Sequence, residues 1–421
     1  MEASDTHRAA ETVFRIERAR LIAGLNRMVR DVGFAEELAQ EALVTALSEW
    51  PKTGVPQNPA GWLMATAKRR AIDVFRRRRM QALKHAEIGH DLSLERDTTI
   101  EEVEAAMDDD IGDERLSLIF TACHPLLSVD ARVALTLRLI GGLTTEEIAR
   151  AFLSTEATIA QRIVRAKKTL GSSGVAYEVP RGEDRDRRLA AVLEVIYLIF
   201  NEGYAASAGD DAIRPQLCTE AMRLCRILSA LVPDEPEVHG LLALMELHAS
   251  RFPARTGADG APVTITEQNR GRWDRLLIQH GLTALGRAER LGGADGPHAL
   301  QAAIVACHAR APRAEDTDWR RIATLYDRLS QVMPSPVVDL NRAIAHSMAF
   351  GPERGLELLA PLEAEPALQG YVGLPAARGD FLMRAGRNAD AKAAFEKAAR
   401  LAGNAAERRF LTARAAACGG G

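Results

Sequence analysis

The sequence is poor in aromatic residues, with 4 Trp, 5 Tyr and 11 Phe in 421 positions. It has no apolar run approaching the roughly 20 residues needed to span a bilayer, and its N-terminus lacks the apolar core of a signal peptide. A membrane protein or an exported one is therefore not expected, and the chain reads as cytoplasmic. Its 5 cysteines, Cys123, Cys218, Cys225, Cys307 and Cys418, form no Cys-x-x-Cys pair. Free, buried thiols in a reducing compartment follow. Cys123-His124 and Cys307-His308 each offer half of a zinc site, but helical neighbours diverge by about 100° and cannot easily share an ion. No metal and no cofactor is expected. An enzyme working through Glu202, His280 or His298 finds little support either, since no nucleophile-base spacing or phosphate-binding loop accompanies them.

What the chain does have is helix-forming pattern. Ala, Leu, Arg and Glu dominate, and apolar residues recur every 3.6 positions with no run of strands, which predicts an all-α chain of two or three domains. The net charge of −3 hides an uneven distribution. Lys68, Arg69, Arg70, Arg76, Arg77, Arg78, Arg79 and Lys84 face a single acid, Asp73. Beyond them Glu95, Asp97, Glu101, Glu102, Glu104, Asp108, Asp109, Asp110, Asp113 and Glu114 face only Arg96 and Arg115. A basic module, an acidic connector and a later basic helix suit a protein that grips a polyanion at two separated places.

That later helix is the second of a pair. Thr144 with Glu147 forms a capping box, and Ile148, Ala149 and Phe152 supply the buried side of the first helix. Thr155 caps the second, in which Ile159, Ile163 and Ala166 point inward and Glu156, Thr158, Gln161, Arg162 and Arg165 point outward. This is a helix-turn-helix pattern. Arg162 suits a bidentate contact to guanine and Gln161 a pairing with adenine, while Arg165, Lys167 and Lys168 suit phosphates. The same pattern also describes two amphipathic helices with a solvated basic face.

Residues from Thr6 to Met80 read as a compact helical unit. One helix carries Val13, Ile16, Leu21, Leu25 and Met28, and a second carries Leu38, Ala42, Leu43 and Leu47 down to Trp50. A Pro/Gly-rich loop covers 51–59. A third helix runs through Trp62, Leu63, Ala67, Ile72 and Phe75 into the arginine run.

The stretch Ala35-Glu36-Glu37-Leu38-Ala39-Gln40-Glu41-Ala42-Leu43, then Trp62-Leu63, then Ala67-Lys68-Arg69-Arg70-Ala71-Ile72-Asp73-Val74-Phe75-Arg76-Arg77 resembles the second conserved region of bacterial extracytoplasmic-function (ECF) sigma factors. The helix-turn-helix, with Thr158-Ile159, Arg162 and Arg165-Ala166-Lys167, resembles their fourth region, so the likeness covers residues 8–171. It implies two small helical domains, residues 1–85 and 113–174, joined by an acidic linker, 86–112. The partners implied are promoter DNA and RNA polymerase core, through the coiled coil of its largest subunit and its flap. Three exposed acids with a glutamine, Glu36, Glu37, Gln40 and Glu41, would meet that coiled coil. Asn58, Trp62, Lys68, Arg69, Arg70, Arg76, Arg77, Arg78 and Arg79 would engage the −10 element, where an unstacked base needs a pocket and the displaced strand needs cations. Thr155, Glu156, Thr158, Ile159, Gln161, Arg162, Arg165 and Lys168 would engage the −35 element. Two departures stand out: Arg69 occupies a position where many relatives carry Asn, and Leu153 replaces a turn glycine. Trp62 reads equally as a stacking face or a core residue. The acidic linker reads either as a nucleic-acid mimic in an RNA path or as a plain spacer.

Residues 175–421 extend beyond where such a factor normally stops. Helices are predicted from Leu189 to Phe200, Gln216 to Leu231, Pro236 to Arg251, Trp273 to Leu291, Gly296 to His308, Trp319 to Gln331 and Val337 to Ala349, with three more to the end. Gly379, Ala391, Phe395 and Ala398 fit the small-small-large-small positions of a tetratricopeptide repeat, and Ala343, Gly355, Leu359 and Leu362 fit them 36 residues earlier. A repeat-like α-solenoid is expected, contacting the sigma-like domains and regulating them. Asn201, Glu202, Tyr204, Asn269, Arg270 and Trp273 form a candidate regulatory cluster, for which helix caps and core packing are the alternative. These features resemble the ECF group with a C-terminal tetratricopeptide-like extension. The competing function is a DNA-binding regulator that senses a ligand or peptide without opening DNA.

Overall fold

The structure is a computed structural model describing residues 3–86, 111–152, 154–175, 177–204, 215–257, 263–403 and 405–418. Most of the acidic linker, residues 87–110, and Leu153 of the turn lie outside them. The described residues form helices and no strand, and the chain divides into two compact units, Met1–Leu231 and Val232–Gly421.

The first unit opens with α1 (Ala3–Val29), α2 (Val32–Thr53) and α3 (Pro59–Ala86). Their shared core is Leu21, Ile22, Leu25, Leu38, Trp50 and Leu63, with Ala35, Ala39, Ala42, Ala46, Ala67 and Ala71 buried between them. Alanines along the facing stripes let the helices approach closely, and each fully buried leucine contributes roughly 1.5–3 kcal/mol. Asp31 starts α2 by accepting from the backbone N–H groups of Gly33 and Phe34 at 2.8 and 3.0 Å. The helix ends later than Pro51 implies, because Pro51 lies inside its last turn. Proline has no N–H to offer the Leu47 carbonyl. His7 Nε2 donates to that carbonyl instead, at 3.0 Å.

Four helices follow: α4 (Ile111–Ala122), α5 (Val129–Thr136), α6 (Thr145–Ala151) and α7 (Glu156–Ser172). Between α5 and α6 the chain makes a five-residue π-turn, Leu137–Gly141, and leaves it at Gly142, whose φ of 76° is left-handed. Two further helices, α8 (Gly182–Tyr204) and α9 (Pro215–Leu231), belong to the same unit. Arg132 of α5 pairs with Glu194 of α8 at 3.0 Å. Arg223 of α9 donates to the Ile140 carbonyl, also at 3.0 Å.

The second unit contains α10 (Pro236–Ala249), α11 (Arg275–Arg290), α12 (Pro297–Arg310), α13 (Trp319–Val332), α14 (Pro336–Phe350), α15 (Pro352–Leu359), α16 (Gly373–Arg384), α17 (Asn388–Leu401) and α18 (Ala405–Ala417). Each packs on its neighbours in sequence, as a stack of hairpins does. The small residues mark the close crossings. A Cβ on Gly355 would lie 2.5 Å from Ser347 Cβ, and one on Gly379 would lie 2.9 Å from the Phe395 ring. Ala343, Ala391 and Ala398 are fully buried.

Candidate nucleic-acid interface

The basic surface of the first module is carried by α3. Asn58 sits just before it and spends its side-chain oxygen on the Gly61 N–H at 2.9 Å, which makes it a helix cap. A Cβ on Gly61 would lie 2.7 Å from Asn58 Nδ2, so a larger residue there would have to shift the capping side chain. Trp62 is half-buried and meets the buried Trp50 edge to face, with ring centroids 5.5 Å apart. Its indole is thereby held in place and only part of it remains open to a base. Arg69, Arg70, Arg76 and Arg77 are exposed and Lys68 is half-exposed. Arg70 pairs with Glu41 at 3.0 Å, and Arg69 Nε donates to its own helix at the Ala65 carbonyl. The side chains of Arg78 and Arg79 lie outside those described.

The helix-turn-helix is built by local capping. Thr144 Oγ1 accepts from the Glu147 N–H at 3.0 Å while Glu147 Oε2 accepts from the Thr144 N–H at 2.7 Å. Thr155 Oγ1 accepts from the Thr158 N–H and also meets Thr158 Oγ1 at 2.8 Å, so both predicted contact hydroxyls are already partnered. Glu156, Gln161, Arg165 and Lys168 are exposed on α7. Ile159 is not available to DNA: it is 1% exposed and lies on the same inward stripe as Ile163, Ala166 and Leu170. Arg162 is half-buried and pairs with Asp130 at 3.2 Å. It also borders a cleft of about 210 Å³ shared with Ile148, Phe152, Leu198 and Glu202, so α8 reaches the edge of α7.

The acids of α2 divide. Glu37, Gln40 and Glu41 are exposed, as a partner-binding face requires. Glu36 is not: it is 3% exposed. Its carboxylate receives Arg18 of α1, Arg138 of the π-turn at 2.8 Å and Lys167 of α7, with Gln40 Nε2 at 3.3 Å. Burial works to raise its pKa, but Lys167, Arg138 and Arg18 outweigh it and hold the carboxyl below the usual range. Removing one member of such a buried set costs about 3–5 kcal/mol, because the remaining charges are stranded. Lys167 was expected to clamp phosphate, and here it is committed to Glu36. The sequence held one sign of this, since Glu36 falls on the stripe of Val32, Ala39 and Leu43 rather than on the exposed face.

Tyr177 adds a further tie. Its hydroxyl approaches the carbonyls of Glu114 at 2.8 Å and Ala23 at 3.2 Å, and burial raises its pKa. Arg27 pairs with Glu114 at 3.4 Å.

The candidate regulatory cluster does not come together as one constellation within a unit. Asn201, Glu202 and Tyr204 lie in the last turn of α8, where Tyr204 stacks on Phe200 at 5.7 Å. Asn269, Arg270 and Trp273 lie in the second unit. There Asn269 caps a 3₁₀ turn, while Arg270 and Trp273 are buried. Arg270 donates to the carbonyls of His308 and Ala311 and to Thr317 Oγ1, at 2.6, 2.7 and 2.8 Å, with its guanidinium 5.0 Å from the Trp273 ring. This arrangement fastens a loop to α12 and buries Arg270 and Trp273, while Asn269 stays exposed.

Comparison with known proteins agrees with the geometry. Residues 13–80 match Sigma-70 region 2, and residues 117–170 match Sigma-70, region 4. The chain belongs to the sigma factors of the sigma-70 type. Residues 188–289 match a family of unknown function, DUF6596, which begins in α8 and ends in α11. An uncharacterized protein of Rhizobium meliloti is 42% identical over 395 residues, which cover 94% of this sigma factor and 92% of that protein. Promoter DNA and RNA polymerase core are accordingly its partners. No helix among the described residues is long and apolar enough to cross a membrane.

Proposed function

We propose that this sigma factor places polymerase at promoters by a two-point grip, with α3 and the loop before it engaging the −10 element and the outer face of α7 reading the −35 element. Glu37, Gln40 and Glu41 then form the acidic face offered to a basic coiled coil of the core. In this reading the extension modulates that activity and is a tetratricopeptide-like regulatory domain. The observation that carries the modulatory role is the packing of α8 on region 4: Glu194 holds Arg132, and Leu198 and Glu202 line the cleft beside Arg162.

The test is transcription by core polymerase across a library of −35/−10 sequences. The full chain should yield transcripts from a defined subset, and no promoter-dependent product would overturn the reading. Two truncations address the extension. A chain ending at Leu231 keeps the first unit complete, whereas one ending at Gly174 lacks α8 and α9. The Gly174 chain should differ from the full one in promoter output, and equal output from all three would remove the modulatory role.

A further inference from the structure

Exposed arginines in the second unit commonly face an acid: Arg313 pairs with Asp316 at 3.0 Å, Arg354 with Glu357 at 2.8 Å and Arg387 with Asp390 at 2.8 Å. The outer face of α11 departs from this habit. Arg272, just before the helix, and Arg275 and Arg290 within it are exposed and have no ion-pair or hydrogen-bond partner among the described residues. Arg275, Gln279, Thr283 and Arg290 follow the helical period, so they form one row about 22 Å long. The nearby acids do not neutralise it. Asp274 spends its carboxylate on the N–H groups of Leu276 and Leu277, at 2.9 and 3.1 Å. Glu289, the acid within α11, stands about 100° round the helix from Arg290.

Helix stability accounts for only one end of this row. Arg290 lies in the last turn, where a cation meets the negative end of the helix dipole. Arg275 opens the first turn and Arg272 precedes it, at the positive end that disfavours cations. We propose that this face of α11 is a further phosphate-binding surface, by which the extension holds the backbone of duplex DNA without reading its sequence. Duplex DNA presents a phosphate every ~3.4 Å along each strand, so a row of this length spans several of them. Arginine supplies the forked donors that phosphate accepts, and Gln279 adds an exposed amide between them. A membrane is the poorer occupant, because the face offers a single exposed leucine, Leu276, for burial in lipid. The proposal rests on DNA being a partner of this chain and not on which residues read the −10 and −35 elements.

The test uses the full chain and a labelled duplex of random sequence, so it stands apart from the promoter-library assay. Affinity is measured by fluorescence anisotropy at several salt concentrations. A triple variant, Arg272→Gln with Arg275→Gln and Arg290→Gln, removes the charges, and the matching triple change to Lys keeps them. Three lost phosphate contacts should flatten the salt slope by about 2.7 and lower affinity at least about ten-fold at 0.1 M salt. The Lys variant should keep most of the slope. All three side chains are exposed, so both variants should melt with the wild type. The loss should be the same on a promoter duplex, since backbone contacts carry no sequence preference. An unchanged slope in the Gln variant overturns the proposal, as does a wild-type chain that fails to bind the duplex at 0.05 M salt. Unchanged DNA binding with weakened binding to core polymerase would also overturn it, and would give the face to an acidic protein surface.

Discussion

The two basic helices of this sigma factor, α3 and α7, carry similar charges but tie up different shares of them. On α3 the guanidinium groups of Arg76 and Arg77 stand exposed. On α7 Lys167 is bound to Glu36 and Arg162 to Asp130. Phosphate contacts position a protein on DNA, whereas base contacts specify where it stays. In the two-point reading proposed above, the cations of α3 would position and those of α7 would read, and two of the latter are engaged by carboxylates. The two restraints on α7 are themselves unequal: Glu36 is buried among three cations, while Asp130 is 69% exposed and its pair is worth at most about 1 kcal/mol.

The comparison breaks most severely at Ile159. If it is core and not a reader, Ile159→Ala should cost region 4 about 2–5 kcal/mol by opening a cavity against Ile163 and Ala166. Gln161→Ala, one helical step of exposed surface away, should leave thermal unfolding unchanged while altering −35 preference. Equal melting curves for Ile159→Ala and wild type would return Ile159 to the interface.

Ile159 also marks how far the sequence can be read. Its inward position followed from a 3.6-residue period, as did the Thr144–Glu147 box and the Thr155 cap, because all of these depend on residues within one turn. Gly355, Gly379 and Phe395 were legible for the same reason, a close helix crossing leaving its spacing in the chain. Glu36 was legible only in its place on the inward stripe of α2, since its partners Arg138 and Lys167 stand 102 and 131 residues away. Arg270 and Trp273 looked like a surface cluster because polar and aromatic residues gather there. The chain alone cannot show that three oxygen acceptors from a later segment surround the guanidinium.

A smaller effect sharpens the contrast between gripping and reading. Arg77→Ala should lower duplex affinity evenly across sequences and reduce the salt slope by about 0.9. Arg162→Ala should instead cost roughly 1–3 kcal/mol at one base position of the −35 element and little elsewhere. Binding of the two variants to a set of single-base promoter variants at several salt concentrations separates them. An even loss from Arg162→Ala would make it a phosphate contact, and the register of α7 would have to turn by one residue.

The smallest effect has two signs. Asp130 lies in the first turn of α5, where a carboxylate meets the positive end of the helix, and it also pairs with Arg162. Asp130→Asn should lower stability by about 0.3–1 kcal/mol at low salt. It should also raise affinity for a −35 duplex by less than about five-fold, the equivalent of an exposed ion pair near 1 kcal/mol. The gain has to depend on Arg162, so it should vanish in an Arg162→Ala background, as a double-mutant cycle reports directly. It should fade as salt rises past 0.1 M, where the screening length drops to about 10 Å. A gain that survives without Arg162 would mean that Asp130 merely repels phosphate, and the reading arginine would then be held by the cleft beside Leu198 and Glu202 and not by its ion pair.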